Sequence, residues 1–356
     1  MSKKTVAVIF GGFSPEYEVS LKSSYSILKA IDNSKYDVVM LGITNKGQWY
    51  KYSGDVENLP NDTWHKDESM LNKALISSNR GGGVLVFDNE TPKTIKVDVV
   101  FPVLHGRYGE DGTIQGFCEL AGIPVVGSGS AASALCMDKN RAHKLVSYAG
   151  ITVPRSICFE YVPTNEELMT AVKKLSLPIF VKPVKAGSSI GVSKLNSYSD
   201  VPEAVKEAFI YDDAIIIEES INGKEVGCSV IGNRELQTGR VNEIEVSQGF
   251  FNYKEKYTLA TSKIHTPARI DAESEQRLQE AGKLIFRTLG CRGYARIDLF
   301  LTDDGDIVFS EANTIPGFTA HSQFPKMMKA AGIEYPELVD KLIELALKVE
   351  SGEWYG

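Results

Sequence analysis

Apolar residues fall along this chain in two different periods, and the place where one gives way to the other outlines its organisation. Over the first third, short apolar runs at residues 6–10, 38–43, 97–104 and 124–126 read as strands. They alternate with helical stretches, of which Leu21, Tyr25 and Leu28 mark one buried stripe. Strand and helix in alternation predict a parallel α/β unit, Rossmann-like in outline. Residues 51–95 lose the period and gain Gly, Asn, Asp and Lys. Loops are predicted there, with a helix over 68–76, an edge strand over 84–87 and no functional role. A helix capped near Asp138 and running through Lys144 to Tyr148 leads to Gly150 and Pro154, a domain entry. Next come a strand over 157–159, a helix over 165–175, a strand over 179–181, a helix over 201–210 and a strand over 214–217. From about Glu225 an antiparallel reading takes over, with strands at 226–231 and 240–246 and a hairpin over 294–310. Leu338, Leu342, Leu345 and Val349 form the buried stripe of a tail helix.

The bulk numbers narrow the function without naming it. A chain of 356 residues suggests two or three domains, with interior to spare for a water-excluding site. Its 43% hydrophobic and 24% charged residues are those of a soluble globular protein. The net charge of −7 leaves no broad basic field for nucleic acid or an anionic membrane surface, so neither is expected as a partner. No signal-peptide pattern precedes the first strand, and no apolar run is long enough to span a bilayer. Five widely spaced cysteines without a C-x-x-C pair argue against a disulfide framework and against a zinc site. They read as reduced, mostly buried thiols of a cytoplasmic protein.

The chemistry concentrates in a few places. If Leu301 pairs with Asp306 across the turn 302–305, strand alternation puts Arg296, Asp298, Glu311 and Asn313 on one face. Hard oxygen donors converging in this way suit Mg²⁺, which takes a carboxylate or two and completes its shell with substrate phosphates. A sheet with a polar outer face is the plain alternative. After the strand ending at Val181, Lys182 precedes Gly187-Ser188-Ser189-Ile190-Gly191, a small-residue loop whose N–H groups can close around phosphate oxygens. It lacks the spacing of a Walker loop, and an ordinary turn stays open. The apolar strand that ends in Glu218, Glu219 and Ile221, with Glu225 beyond, can meet an adenine and a ribose, or be a solvated strand end. Gly11-Gly12 and the polar loop with Glu16 form a strand tip before a helix, where α/β folds place ligands. His105, in a loop closing another strand of the same sheet, can face that site or be structural. Phe250 to Thr258 interleaves aromatics and charges, as a lid or as a surface loop would. After Asn313 the chain passes through a Pro316-Gly317 turn toward a helix, and the N–H groups of this segment and Ser322 suit a carboxylate or an oxyanion.

Taken in order, H-G-x-x-G-E-D-G from His105, V-K-P-x-x-x-G-S-S-x-G from Val181, E-K-Y at Glu255, R-I-D at Arg296 and E-A-N-T-x-P-G-F-T-x-H-S from Glu311 resemble the D-alanine:D-alanine ligase family of ATP-grasp enzymes. The likeness spans essentially the whole chain. Met137 to Lys144 and Glu255 to Leu259 are most similar to the VanG-type D-alanine:D-serine ligases. The resemblance implies an N-terminal α/β substrate domain over 1–138, then a two-subdomain ATP-grasp fold with a central part over 139–224 and a C-terminal part over 225–356. It implies ATP as co-substrate, with Lys139, Lys182, Ser189, Phe250 and Lys256 at its phosphates and rim, Glu218, Glu219 and Ile221 at the adenine, and Glu225 at the ribose. Two Mg²⁺ ions, replaceable by Mn²⁺, would sit on Asp298, Glu311 and Asn313. Glu16 would take the ammonium of the first D-alanine in a hydrogen-bonded set with Ser188 and Tyr257. Arg296 and the Gly317 N–H would face the oxyanion, Ser322 the carboxylate of the second substrate, and the family is expected to be homodimeric.

The second substrate follows from two positions. Tyr257 matches the members that add D-alanine or D-serine, where those adding D-lactate carry His. After Ser322, D-alanine enzymes usually present Leu or Met and resistance-type ligases Arg, while this chain presents Gln323. An apolar pocket rejects an added hydroxyl by only about a hundredfold, so D-serine preference needs a placed polar partner. Gln323 is the expected selector, with His105 the second position expected to bear on selectivity, and D-alanine:D-serine ligation is the leading reading over D-alanine:D-alanine ligation. Another ATP-grasp carboxylate–amine ligase and a non-catalytic amino-acid-binding module are the remaining alternatives.

Overall fold

The computed structural model describes residues 3–88, 91–246 and 262–350. Three sheets organise these residues. In the first, β1 (Lys4–Gly11) is buried from Val6 onward and lies parallel to β2 (Tyr36–Ile43) and β7 (Val99–Pro102). A strand covered on both faces needs a continuous apolar run, and Val6 to Phe10 provide it. Helix α1 (Tyr17–Ala30) makes the first crossover. Beyond β2 the sheet continues antiparallel through β3 (Trp49–Tyr52), β4 (Leu71–Ile76), β5 (Val84–Asp88) and β6 (Thr91–Ile95).

Three expectations change here. Residues 71–76 form a strand and not a helix, preceded by one short 3-10 turn at Glu68–Met70. Alternation decides it: Ala74 and Ile76 are buried and Leu75 is exposed, a period of two. The strand over 84–87 is not an edge, because Thr91–Ile95 pairs outside it. The run at 124–126 is reduced to one bridge between Val125 and Val100.

Three helices, α2 (Thr113–Leu120), α3 (Ser130–Met137) and α4 (Lys139–Tyr148), lead out of the first sheet. As expected, Asp138 caps α4, its carboxylate accepting the Arg141 N–H at 2.9 Å. The second sheet is antiparallel, ordered β10 (Ser193–Leu195), β9 (Ile179–Pro183), β11 (Ile215–Glu219), β8 (Ser156–Phe159). Helices α5 (Asn165–Val172) and α6 (Val201–Ala208) bury Leu168, Val172, Val201 and Val205 against it. A capping box between Thr164 and Glu167 starts α5.

The third sheet is built from β12 (Lys224–Gly232), β14 (Asn242–Val246), β15 (Ser262–His265), β16 (Gly293–Leu301) and β17 (Ile307–Asn313), with β13 (Leu236–Thr238) beside β12. Along β16, Ala295, Ile297 and Leu299 turn inward onto Leu278, Ile285 and Phe286 of α7 (Ala272–Thr288). The alternate positions face the second sheet across a cleft. After α8 (Gln323–Ala330), α9 (Tyr335–Glu350) returns to the first sheet, where Leu338, Leu342 and Ile343 share a core with Val6, Val8, Leu21 and Phe101.

Because α9 closes the core of the N-terminal sheet, truncating its fully buried Leu342 to Ala is expected to cost about 2–5 kcal/mol. Denaturant titration of the full-length chain should show a lower midpoint. An unchanged midpoint would mean that α9 is not part of that core.

Candidate active site

The hairpin of β16 and β17 carries a cluster of charged and polar side chains. Its register differs from the expected one: Leu301 pairs with Ile307, not with Asp306. Carried along the strands unchanged, that shift of one residue would turn Glu311 and Asn313 away from Asp298. A bulge corrects it. Leu299 pairs with Phe309 but Asp298 pairs with Glu311, so Ser310 is the extra residue, and Arg296 comes opposite Asn313. Asp298 accepts from Arg296 Nε at 2.7 Å, from Arg296 Nη2 at 2.8 Å and from Asn313 Nδ2 at 2.9 Å. Burial works against the Arg296 charge, but Asp298, Glu311 and Glu110 outweigh it and hold the guanidinium charged beyond its ordinary range. Glu311 meets Lys139 Nζ at 3.3 Å.

Two carboxylates and a carboxamide are the donors a divalent cation such as Mg²⁺ takes. Among the described residues no three His, Cys, Asp or Glu side chains gather into a closed cage. The set therefore fits a cation whose shell is completed by a ligand's phosphate oxygens, and the paired Arg296 and Lys139 show how much negative charge the face carries.

Across the cleft, Lys182 on β9 forms a close ion pair with Glu218 on β11. The other oxygen of Glu218 is buried with no partner among the described residues, an acceptor suited to an amino group on a ligand. Glu219 turns its carboxylate away from this pair, to the Ser176 N–H at 2.8 Å and Arg155 at 3.3 Å. Lys139, Lys182, Ser189, Glu218, Glu219, Ile221, Glu225 and Glu311 all line this one cleft. Lys139 Nζ also donates to the Ala186 carbonyl at 2.8 Å, which ties α4 to the glycine-serine loop. Ser188 and Ser189 hold φ of 52° and 57°, a left-handed backbone that non-glycine residues adopt at a cost and that clusters at functional loops.

That loop meets Glu16, which follows the first strand of the N-terminal sheet. The Ser188 hydroxyl donates to Glu16, which stands at the start of α1 but does not cap it. The Glu16 carboxylate lies against two glycines: a Cβ on Gly106, whose φ is +72°, would come within 2.5 Å of Oε2, and one on Gly187 within 3.5 Å. His105 is buried, with Nδ1 2.9 Å from the Ile315 carbonyl and Nε2 3.2 Å from Ser23 Oγ. Burial pushes its imidazole below the ordinary range, Glu16 opposing, so the neutral ring with Nδ1–H donating fits its partners. Both nitrogens are thus engaged in holding the loop before Gly317 to the first sheet.

Beyond β17 and the loop that follows it, Ser322 precedes α8. Its hydroxyl accepts the Thr319 N–H at 3.0 Å and does not cap the helix, so the N–H groups of Gln323 and Phe324 have no partner among the described residues. Such a helix start, with Gly317 packed beside Ser322, is a site for an anion. Gln323 Oε1 accepts from Asn242 Nδ2 at 2.9 Å, while Asn242 Oδ1 accepts the Gly227 N–H at 2.9 Å. Phe250, Lys256 and Tyr257 lie outside the described residues.

Two family models cover most of the chain: the D-ala D-ala ligase N-terminus over residues 5–128 and the D-ala D-ala ligase C-terminus over residues 145–344. The chain belongs to the D-alanine:D-alanine ligase family. It is similar to the crystal structure of the VanG D-Ala:D-Ser ligase from Enterococcus faecalis, at 52% identity over 97% of this chain and 100% of that one, with a TM-score of 0.90. The vancomycin C-type resistance protein VanC2 of Enterococcus casseliflavus is 40% identical over 96% of this chain and 98% of that protein. The crystal structure of the D-alanine–D-alanine ligase from Bacillus anthracis complexed with ATP is 28% identical, covers 98% of this chain and 99% of that one, and superposes with a TM-score of 0.73. The α/β sheet followed by two further sheets is the ATP-grasp architecture expected, and the activity is ATP-dependent, ADP-forming ligation. Among the described residues no helix is long and apolar enough to cross a membrane.

In this ligase one group near the chemistry was absent from the sequence-based site. Glu110 accepts the Gly106 N–H at 3.0 Å, and it lines a pocket with Lys139, Gly187, Glu311 and Asn313. It stands in the motif that begins at His105, so the motif was a signal, but its protonation depends on its neighbours in space. Burial first, then the charge of Glu16, pushes its carboxyl up to about 8. A folded-state value above the unfolded one means the ligand-free protein holds an extra proton between about pH 4.5 and 8, so this group's stabilising contribution is complete below that window and lost as pH rises through it. Glu110→Gln keeps an acceptor for Gly106 and removes the titration. The Tm of the variant minus that of the parent is expected to rise from pH 5 to pH 9, and a difference independent of pH would refute the assignment.

Proposed function

We propose that this chain joins D-alanine to D-serine through a D-alanyl phosphate, giving a D-alanyl dipeptide for peptidoglycan precursors. The observation that carries the D-alanine half is the Ser188–Glu16 hydrogen bond, which sets a carboxylate from the first sheet beside the phosphate loop, where it can receive an ammonium. Lys139, Lys182 and Ser189 would hold the triphosphate, Glu218, Glu219 and Ile221 the adenine, and Glu225 the ribose. Asp298, Glu311 and Asn313 would hold Mg²⁺ or Mn²⁺, which when bound offsets charge on the phosphate oxygens. By its sequence motif, Tyr257 joins Glu16 and Ser188, while Phe250 and Lys256 go to the nucleotide. The same reading divides the chain at 1–138, 139–224 and 225–356.

A carboxylate is a poor electrophile, so the γ-phosphoryl group of ATP passes first to the carboxylate of D-alanine and ADP is released from it. Glu16 orients that substrate by its ammonium. The amine of the second amino acid then attacks the acyl carbon, and phosphate leaves. Arg296 spends Nε and Nη2 on Asp298, which leaves Nη1 and the Gly317 N–H for the tetrahedral oxyanion. Ser322 and the open helix start of α8 would take the second carboxylate.

For the second substrate, the orientation of Gln323 supports D-serine. Its oxygen is committed to Asn242, so the amide presents N–H groups as donors, and a donor rewards a hydroxyl that D-alanine lacks. The likeness to a D-Ala:D-Ser ligase supports the same choice.

Incubation with ATP, Mg²⁺, D-alanine and an equimolar mixture of D-serine and D-lactate is expected to release ADP only with D-alanine, not with L-alanine. Mass analysis should find D-alanyl-D-serine and no depsipeptide. ADP release indifferent to D-alanine would point to a different carboxylate–amine ligase. In competition between D-serine and D-alanine, Gln323→Leu should lower the D-serine share by about tenfold, the worth of one hydrogen bond of ~1.4 kcal/mol. An unchanged product ratio removes Gln323 as the selector.

A further inference from the structure

Helix α4 presents Lys139 and His143 one turn apart on the same side. The use of Lys139 is plain, since it touches Glu311 and the loop carbonyl of Ala186. That of His143 is not. Its ring is buried edge-on to Phe309, with centroids 5.6 Å apart, and Nε2 lies 2.7 Å from the carbonyl oxygen of Ser310. A carbonyl only accepts, so Nε2 carries the proton. Nδ1 is then a buried acceptor with no partner among the described residues, which for packing alone makes a hydrocarbon the cheaper side chain. Glu218, Lys182 and Lys139 act on the ring from the cleft side, and burial keeps it neutral.

The carbonyl that His143 holds belongs to the one residue that makes β17 bulge. Bulged residues lose ladder partners, so their carbonyls need another donor to stay in place. Without the bulge, Ser310 would stand opposite Asp298 and Glu311 would point to the other face.

We propose that His143 is a positioning residue for the cation face: its Nε2–H pins the Ser310 carbonyl, and through the bulge keeps Glu311 on the side of Asp298. This rests on the reading of Asp298, Glu311 and Asn313 as cation ligands. Two substitutions separate positioning from packing. His143→Phe keeps a ring against Phe309 and loses the donor, whereas His143→Gln loses the ring and keeps a donor. ATP binding is measured by calorimetry with excess chelator and with Mg²⁺, and the readout is the gain in affinity that Mg²⁺ confers. In His143→Phe that gain should fall by about tenfold or more, the usual cost of removing a group that orients a metal ligand, while chelator-present binding stays within about twofold. In His143→Gln the gain should stay within about threefold of the parent.

A gain retained in the Phe variant, or one lost in the Gln variant, overturns the inference. If the Phe variant does not fold, the Gln variant decides alone: a parent-like gain supports positioning, and a lost gain excludes it. A parent chain that gains nothing from Mg²⁺ sinks the cation reading and this inference together, whereas a parent gain that survives in His143→Phe sinks only the inference.

Discussion

Side chains along a β-strand alternate strictly between faces, so one inserted residue decides which of them can meet. Ser310 is that residue here. With it, Glu311 and Asn313 share a face with Arg296 and Asp298. The cost is two carboxylates placed cross-strand in a partly buried cleft, where like charges repel. Among the described residues a cation meets each of them: Arg296 grips Asp298 with two parallel bonds, and Lys139 reaches Glu311 from another element. Polar partners, more than apolar contact, define this part of the molecule.

A second set of contacts joins the first sheet to this face. Ser188 leans from the loop after β9 onto Glu16 at the tip of β1, and His105 fastens Ile315 beside Ser23, whose hydroxyl also accepts the Phe318 N–H at 3.3 Å. The proposed amino-acid site therefore lies at a seam, built from one strand tip, one small-residue loop and one helix start. None of these pieces forms a site alone. Glu110 sits at the same seam, and its retained proton spares the site one more negative charge beside Glu16.

Much of this was legible in the sequence, for reasons that differ by element. The parallel core was readable because strands covered on both faces must be apolar throughout, as Val6 to Phe10 are. Residues 71–76 misled because Leu-Asn-Lys-Ala-Leu-Ile fits either period, and only the pairing with β3 and β5 selects the strand. The hairpin cluster was read correctly through an incorrect register: the turn slipped by one residue and the bulge slipped back, so parity was preserved. Ordered motifs pointed to the lysines and carboxylates, yet the partners that orient them, Asn242 beneath Gln323 and His143 beneath Ser310, come from distant segments. Protonation of Glu110 was beyond reach for the same reason, since it depends on burial and on the charge of Glu16 from a distant segment.

Among the described residues, the two lysines that line the cleft lean on glutamates, Lys182 on Glu218 and Lys139 on Glu311. A small lone anion such as orthophosphate arriving there would have to break those pairings and strand a carboxylate in a poorly solvated place, with little to give in return. A polyphosphate that arrives with its own divalent counterion and a base carrying an amino group can compensate both glutamates at once. On the proposed reading of this cleft, the resting salt links would favour a ligand that brings its own cation over a bare anion.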